Sequence, residues 1–200
     1  MKFAIISGTH RVKGRSLQVA DVVLKQLKEK NHEAQIVDLS ESKLPQWHES
    51  IWDRNAKENE EWDGTWKQVW DPIAGLLRSC DGLVVITPEY GGMVPAALKN
   101  FFLFLTGDIV AHKPAMIVAV SAGRGGSYPI AELRMSSYKN SRLLYIPDQM
   151  IFAPADAAMA DEKILKRLSY TLDVLAEYAR ALRGVRESGV INLKDYPSGI

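Results

Sequence analysis

Short runs that are apolar at almost every position constrain this chain more than any other feature. Residues 3–6 (FAII), 83–87 (LVVIT) and 115–120 (AMIVAV) lack the alternation of apolar and polar side chains expected of a strand with one wet face. A strand of this kind needs both faces covered, and in parallel sheets the covering elements are the crossover helices. Helical spacing does recur between the runs. Residues 16–29 place Leu17, Ala20, Val23, Leu24 and Leu27 on one face. Residues 58–79 do the same with Trp62, Trp66, Val69, Trp70, Ile73, Leu76 and Leu77, with Pro72 positioned to kink or divide the helix.

The other elements follow from the same periodicities. Residues 34–39 read as a second strand, 94–105 and 128–139 as helices, and 143–146 with 150–152 as a last strand interrupted at Pro147. Asp161 opens a final helix to about residue 183, carrying Ile164, Leu168, Leu172, Leu175 and Leu182. The order β-α-β-α-β-α-β-α-β-α predicts a doubly wound α/β fold, a five-stranded parallel sheet with helices on both faces. With 200 residues, no repeat and no linker, residues 1–200 are expected to form a single domain.

Composition removes several classes of partner. Twenty-five basic residues against 24 acidic ones leave a net charge of +1, which gives no electrostatic footprint for nucleic acid or an anionic membrane. No apolar run approaches the roughly 20 residues of a membrane span, and the apolar start after Met1-Lys2 is too short for a signal peptide. The lone Cys80 cannot form an internal disulfide, so it reads as a packed thiol and a reducing, cytoplasmic setting is expected. His10, His32, His48 and His112 show no metal-ligand spacing, so no metal site is expected, and no triad-like catalytic pattern occurs.

In such sheets, ligands bind beyond the carboxyl ends of the strands, where strand order reverses. Three strand ends carry unusual sequence. The first, Ser7-Gly8-Thr9-His10-Arg11-Val12-Lys13-Gly14-Arg15-Ser16, combines hydroxyls, glycines and basic side chains and opens onto a helix N-terminus, which favours an anion. It misses the nucleotide P-loop pattern: five residues separate Gly8 from Gly14, and Arg15 stands where lysine belongs. Its plainer reading is a polar turn with Ser16 as N-cap. The second, Thr87-Pro88-Glu89-Tyr90-Gly91-Gly92-Met93-Val94-Pro95, leaves backbone amides beside an aromatic ring, a surface suited to a flat heterocycle; its plainer reading is a glycine turn under Tyr90. The third, Ser121-Ala122-Gly123-Arg124-Gly125-Gly126-Ser127, lacks dinucleotide spacing and follows the fourth strand rather than the first.

Taken together, the three loops resemble the NADPH-dependent FMN reductase family, a branch of the flavodoxin-like fold. Its first-loop pattern, G-S-x-R-x-x-S-x-[NT], is met by Gly8, Thr9, Arg11 and Ser16, with Gly14 replacing the inner serine. The pattern T-P-E-Y-N-G-x-x-P-x-x-L-K-N is met by Thr87-Pro88-Glu89-Tyr90, Gly92, Pro95 and Leu98-Lys99-Asn100, with Gly91 replacing asparagine. Ser121, Gly123 and Gly126 match S-x-G-x-x-G.

The resemblance implies a flavodoxin-like FMN-binding domain with NADPH as reductant and a quinone, free flavin or similar small acceptor. It implies that Thr9, Arg11 and Ser16, with Arg15, hold the FMN phosphate. Pro88, Glu89, Tyr90 and Gly91 would lie along the isoalloxazine, and Ser121, Gly123 and Gly126 would reach its pyrimidine edge. Losing the asparagine amide at Gly91 and the serine hydroxyl at Gly14 bears on flavin affinity. A flavodoxin-like electron carrier without its own NAD(P)H oxidation is the alternative; such carriers are characteristically acidic and lack the T-P-E-Y pattern. Phe101, Phe102, Phe104 and Leu105 outnumber what one helix face buries, which suggests a subunit interface in a homodimer or homotetramer. Trp47, Trp52, Trp62, Trp66 and Trp70 could wall an acceptor pocket, although core packing is the preferred reading for Trp66 and Trp70.

Overall fold

The computed structural model describes residues 1–48, 65–197 and 199. Five strands form one parallel sheet in the order β2-β1-β3-β4-β5. They are β1 (Lys2–Ser7), β2 (Glu33–Asp38), β3 (Gly82–Pro88), β4 (Pro114–Val120) and β5 (Leu144–Phe152). Every residue of β3 and β4 is buried, as their unbroken apolar runs require. Alternate side chains of each strand enter two separate cores. Ala4, Ile6, Leu83, Val85, Ala115 and Ile117 meet α2 (Thr65–Ser79), α3 (Ala96–Leu103), α4 (Gly107–Val110) and α5 (Ser127–Met135) on one face. Phe3, Ile5, Val84, Ile86, Met116 and Val118 meet α1 (Arg15–Glu29), α6 (Ala155–Ala160) and α7 (Glu162–Glu187) on the other.

This is the doubly wound, flavodoxin-like arrangement expected, with three differences in detail. Helix α2 runs unbroken through Pro72, which lies on its exposed face, where the carbonyl it leaves without a donor can meet water. Residues 58–64 of the predicted helix, with Trp52 and Trp62, lie outside the described residues. Strand β5 is continuous; the register shifts between Ala115 and Ile117, and that irregularity on an edge strand absorbs Pro147. Helices α4 and α6 are too short for periodicity to announce.

The aromatic cluster after β3 is also resolved. Helix α3 ends at Leu103, and the turn that follows brings Phe104 and Leu105 inward beside Phe101; all three are buried. Trp70 packs on Phe101 and Phe104 with ring centroids 6.0 and 5.2 Å apart, and Trp66 on Phe104 at 6.2 Å. Phe104 and Leu105 are therefore part of the core, Phe102 is partly buried against it, and Leu103 is left half-exposed. Among the described residues, no helix is long and apolar enough to cross a membrane.

Candidate functional site

The chain leaves β1 for β2 on one side and reaches β3 on the other, so the switch point lies between the carboxyl ends of β1 and β3. The first two loops leave from there. They approach closely: the Gly8 amide donates to the Ile86 carbonyl at 2.8 Å. A Cβ at position 8 would stand 2.7 Å from both that oxygen and Leu98 Cδ2, so only glycine lets the loop pass.

The residues of the T-P-E-Y…L-K-N pattern reach out to every neighbouring segment. Thr9 Oγ1, itself buried, shares a 2.7 Å hydrogen bond with the Tyr90 hydroxyl and accepts from the Arg11 amide at 3.0 Å. The Arg11 guanidinium lies over the Tyr90 ring, 4.7 Å from its centroid, and His10 meets the same ring edge-on at 5.0 Å. Glu89 accepts from the Gly126 amide of the third loop. Lys99 pairs with Glu132 of α5 at 2.6 Å, and Glu132 also accepts from the Val94 amide at 2.8 Å. Burial alone would raise the Glu132 carboxyl, but these two donors outweigh it and hold it below the usual range. Asn100 clasps the segment after β2, accepting from the Trp47 amide and donating to the Pro45 carbonyl, both at 2.7 Å.

Gly91 and Gly92 have φ of +59° and +79°, and Tyr90 and Met93 exchange both backbone hydrogen bonds at 3.1 Å. That is a type I′ hairpin turn, whose preferred sequences are Asn-Gly and Gly-Gly. Replacing the pattern's asparagine with Gly91 therefore preserves the turn. At Gly14 the space is tighter, since a Cβ would stand 3.2 Å from the Arg11 carbonyl and 3.3 Å from Thr9 Oγ1.

Between the loops lies a cleft of about 810 Å³, within the usual range for small-ligand pockets. Its lining includes Arg11, Lys13, Gly14, Arg15 and Ser16 from the first loop and helix α1, and Pro88–Gly91 from the second. Val120, Ala122 and Asp156 close it. Ser16 is 1% exposed, and its hydroxyl has no hydrogen-bond partner among the described residues. An orphaned hydroxyl in the first turn of a 15-residue helix is one a ligand oxygen would satisfy. Helix α1 begins after Gly14, whose side-chain-free position leaves the N-terminus without a cap.

Arg15 lies on the rim and binds Asp156 with two parallel contacts, Nε to Oδ1 at 2.9 Å and a terminal nitrogen to Oδ2 at 2.6 Å. This hydrogen-bonded pairing raises the guanidinium and lowers the carboxyl from their ordinary values. In the third loop, Gly126 has φ +121°, and Gly123 stands open with its amide 3.2 Å from Ser121 Oγ. Nothing in the sequence singles out His10 or Glu132 as members of this site. Asp156 alone has a signal there, as a carboxylate just beyond the last strand. A larger groove, about 1,320 Å³, lies at the amino ends of β4 and β5 and contains none of the motif residues.

The family model for NADPH-dependent FMN reductases matches residues 1–157. The chain belongs to that family. Its sequence is 29% identical over 153 residues, 76% of either protein, to an NADPH azoreductase of Bacillus sp. (strain OY1-2). It is 29% identical over 135 residues, 68% of either protein, to an FMN-dependent NADPH-azoreductase of Staphylococcus aureus. Its fold matches a flavoenzyme NAD(P)H:(acceptor) oxidoreductase of Paracoccus denitrificans with a TM-score of 0.69 at 19% identity, covering 90% of this chain and 97% of that one. The protein is thus an NAD(P)H-dependent flavin oxidoreductase whose cofactors are FMN and NADPH.

Proposed function

We propose that the cleft holds FMN, with its phosphate on the first loop, and that the protein passes electrons from NAD(P)H to a quinone, an azo compound, free flavin or a similar small acceptor. The observation that carries this reading is the orphaned Ser16 hydroxyl at the N-terminus of α1, beside Arg11 and Lys13, in a cleft bounded by Pro88–Gly91. Thr9 holds the loop to Tyr90, the α1 amides and Ser16 donate to the phosphate, and Arg11 adds charge. Arg15 balances Asp156 at the rim and adds to the field there. Backbone of residues 88–91 lines the ring, and Ser121, Gly123 and Gly126 belong to the loop at its pyrimidine edge. Bound there, FMN would supply the redox chemistry, accepting hydride from NAD(P)H and passing electrons to the acceptor in a ping-pong cycle. The protein's part is to bind, orient and leave one ring face open.

The same reading places the protein in the cytoplasm, supported by a single cysteine that is buried and outside any disulfide. As in its family, it would act as a homodimer or homotetramer, which sedimentation velocity distinguishes. The deciding experiment is an absorbance spectrum after FMN addition and desalting, followed by anaerobic NADPH. Retained flavin that bleaches is the expected result. Retained flavin that stays yellow with both NADPH and NADH would make the protein a carrier, and no retained flavin would overturn the site.

A further inference from the structure

Glu89 touches both ends of the third loop. Its backbone amide donates to the Val120 carbonyl at 3.0 Å, where the loop leaves β4, and its carboxylate accepts from the Gly126 amide, where the loop enters α5. Gly126 is the N-cap of α5 and has no side chain to offer, so the cap comes from Glu89 of the second loop. A carboxylate at that position also meets the positive end of a nine-residue helix. The loop is shaped to admit it: a Cβ at Gly125 would stand 2.6 Å from Glu89 Oε1 and 2.7 Å from Oε2. At Gly126, φ of +121° and Ile151 Cγ2, 2.6 Å from a would-be Cβ, fix the chain's path.

We infer that Glu89 is a positioning residue whose carboxylate clamps the loop 121–126 to the second loop, setting the pyrimidine-edge amides before FMN binds. Gly125 is the second half of the device, since it leaves the room that the carboxylate occupies. The inference rests on the FMN reading for its effect on affinity, but the clamp itself belongs to the cofactor-free protein.

The test uses E89A, E89Q, G125A and the E89A/G125A double variant. Amide exchange at Gly126 is read without cofactor, and FMN affinity is read by fluorescence quenching. E89A and G125A should each speed Gly126 exchange and weaken FMN about tenfold, the scale of one charge-assisted hydrogen bond. E89Q, whose amide oxygen still accepts, should stay within about threefold of the wild type. The double variant should bind no worse than E89A, because the alanine at 125 then meets no carboxylate. Losses that add in the double variant, E89Q as impaired as E89A, or unchanged Gly126 exchange in E89A would overturn the clamp. If E89A does not fold, G125A and E89Q decide it by the same two readouts. A wild-type protein that fails to bind FMN would defeat the cofactor reading, while the exchange rates would still decide the clamp.

Discussion

The hydroxyls of Thr9 and Tyr90 lie 2.7 Å apart, so the loop after β1 and the loop after β3 are joined side chain to side chain across the switch point. The two ends of this bond are not equivalent. Tyr90→Phe removes one neutral hydrogen bond, worth about 0.5–1.5 kcal/mol, and should weaken FMN by up to about tenfold. Thr9→Val also removes the acceptor of the Arg11 amide, so it breaks two hydrogen bonds that order the loop where Tyr90→Phe breaks one. Fluorescence titration should therefore rank Thr9→Val well below Tyr90→Phe. The reverse order would mean that the phenol contacts the cofactor itself.

Placement of the phosphate is tested by Arg11→Ala with Ser16→Ala. Each charge-assisted contact is worth about 1.5–3 kcal/mol, so the double variant should lose several kcal/mol of FMN affinity. Loss of Arg11 from above the Tyr90 ring adds about 0.5–1 kcal/mol at an exposed site. Unchanged affinity in the double variant would move the phosphate elsewhere.

Which features were legible in the sequence depended on whether they were local. Strands β3 and β4 could be read because burial on both faces leaves no room for polar alternation. The glycine at position 8 could be matched to a pattern, but not explained, since the atoms that exclude a side chain come from Ile86 and Leu98. Arg15 reads from the sequence as a phosphate partner, whereas its ion pair with Asp156 is invisible there because the two lie 141 positions apart. Phe104 and Leu105 look like surplus when helical spacing is continued past Leu103, whereas the helix ends there and the chain turns them inward.

Gly91 shows how a departure from pattern can be conservative. Its φ of +59° is open to glycine and asparagine, and a Cβ there would meet nothing closer than Met93 Cε at 3.8 Å. Gly91→Asn should therefore leave the melting temperature within a few degrees and FMN affinity within a few fold. Gly91→Val forces a β-branched residue into the left-handed region and should cost about 1–2 kcal/mol or more. Thermal denaturation of the two variants checks the turn assignment directly.

Acid should expose the role of Asp81. Burial would raise this carboxyl, but Arg183 at 2.6 Å and the Lys2 amide at 2.8 Å outweigh it and hold it below its ordinary value. A carboxyl depressed in the folded state stabilises the fold above its unfolded pKa of about 3.9, and that contribution disappears as pH falls through the folded value. Asp81→Asn should be less stable than the wild type at pH 7, by about 1–3 kcal/mol, with the gap closing below about pH 4. Urea denaturation at pH 7, 5 and 3 measures this; a gap that widens on acidification would reverse the sign.

Gly8 and Gly123 both belong to the family patterns, yet the structure gives them opposite surroundings. An alanine methyl at position 8 strikes the Ile86 carbonyl and Leu98, whereas at position 123 nothing lies within 4 Å. Gly8→Ala should cost about 1–3 kcal/mol of stability, because a backbone oxygen cannot step aside as a flexible side chain can. Gly123→Ala should leave stability unchanged or raise it slightly by restricting the unfolded chain. If the third loop borders the flavin, the added methyl occupies ligand space, so Gly123→Ala should lower FMN affinity with no fall in melting temperature. Loss of affinity without loss of stability is the signature of a glycine kept for a ligand. A Gly123→Ala protein that binds FMN as tightly as the wild type would place the ring away from that loop.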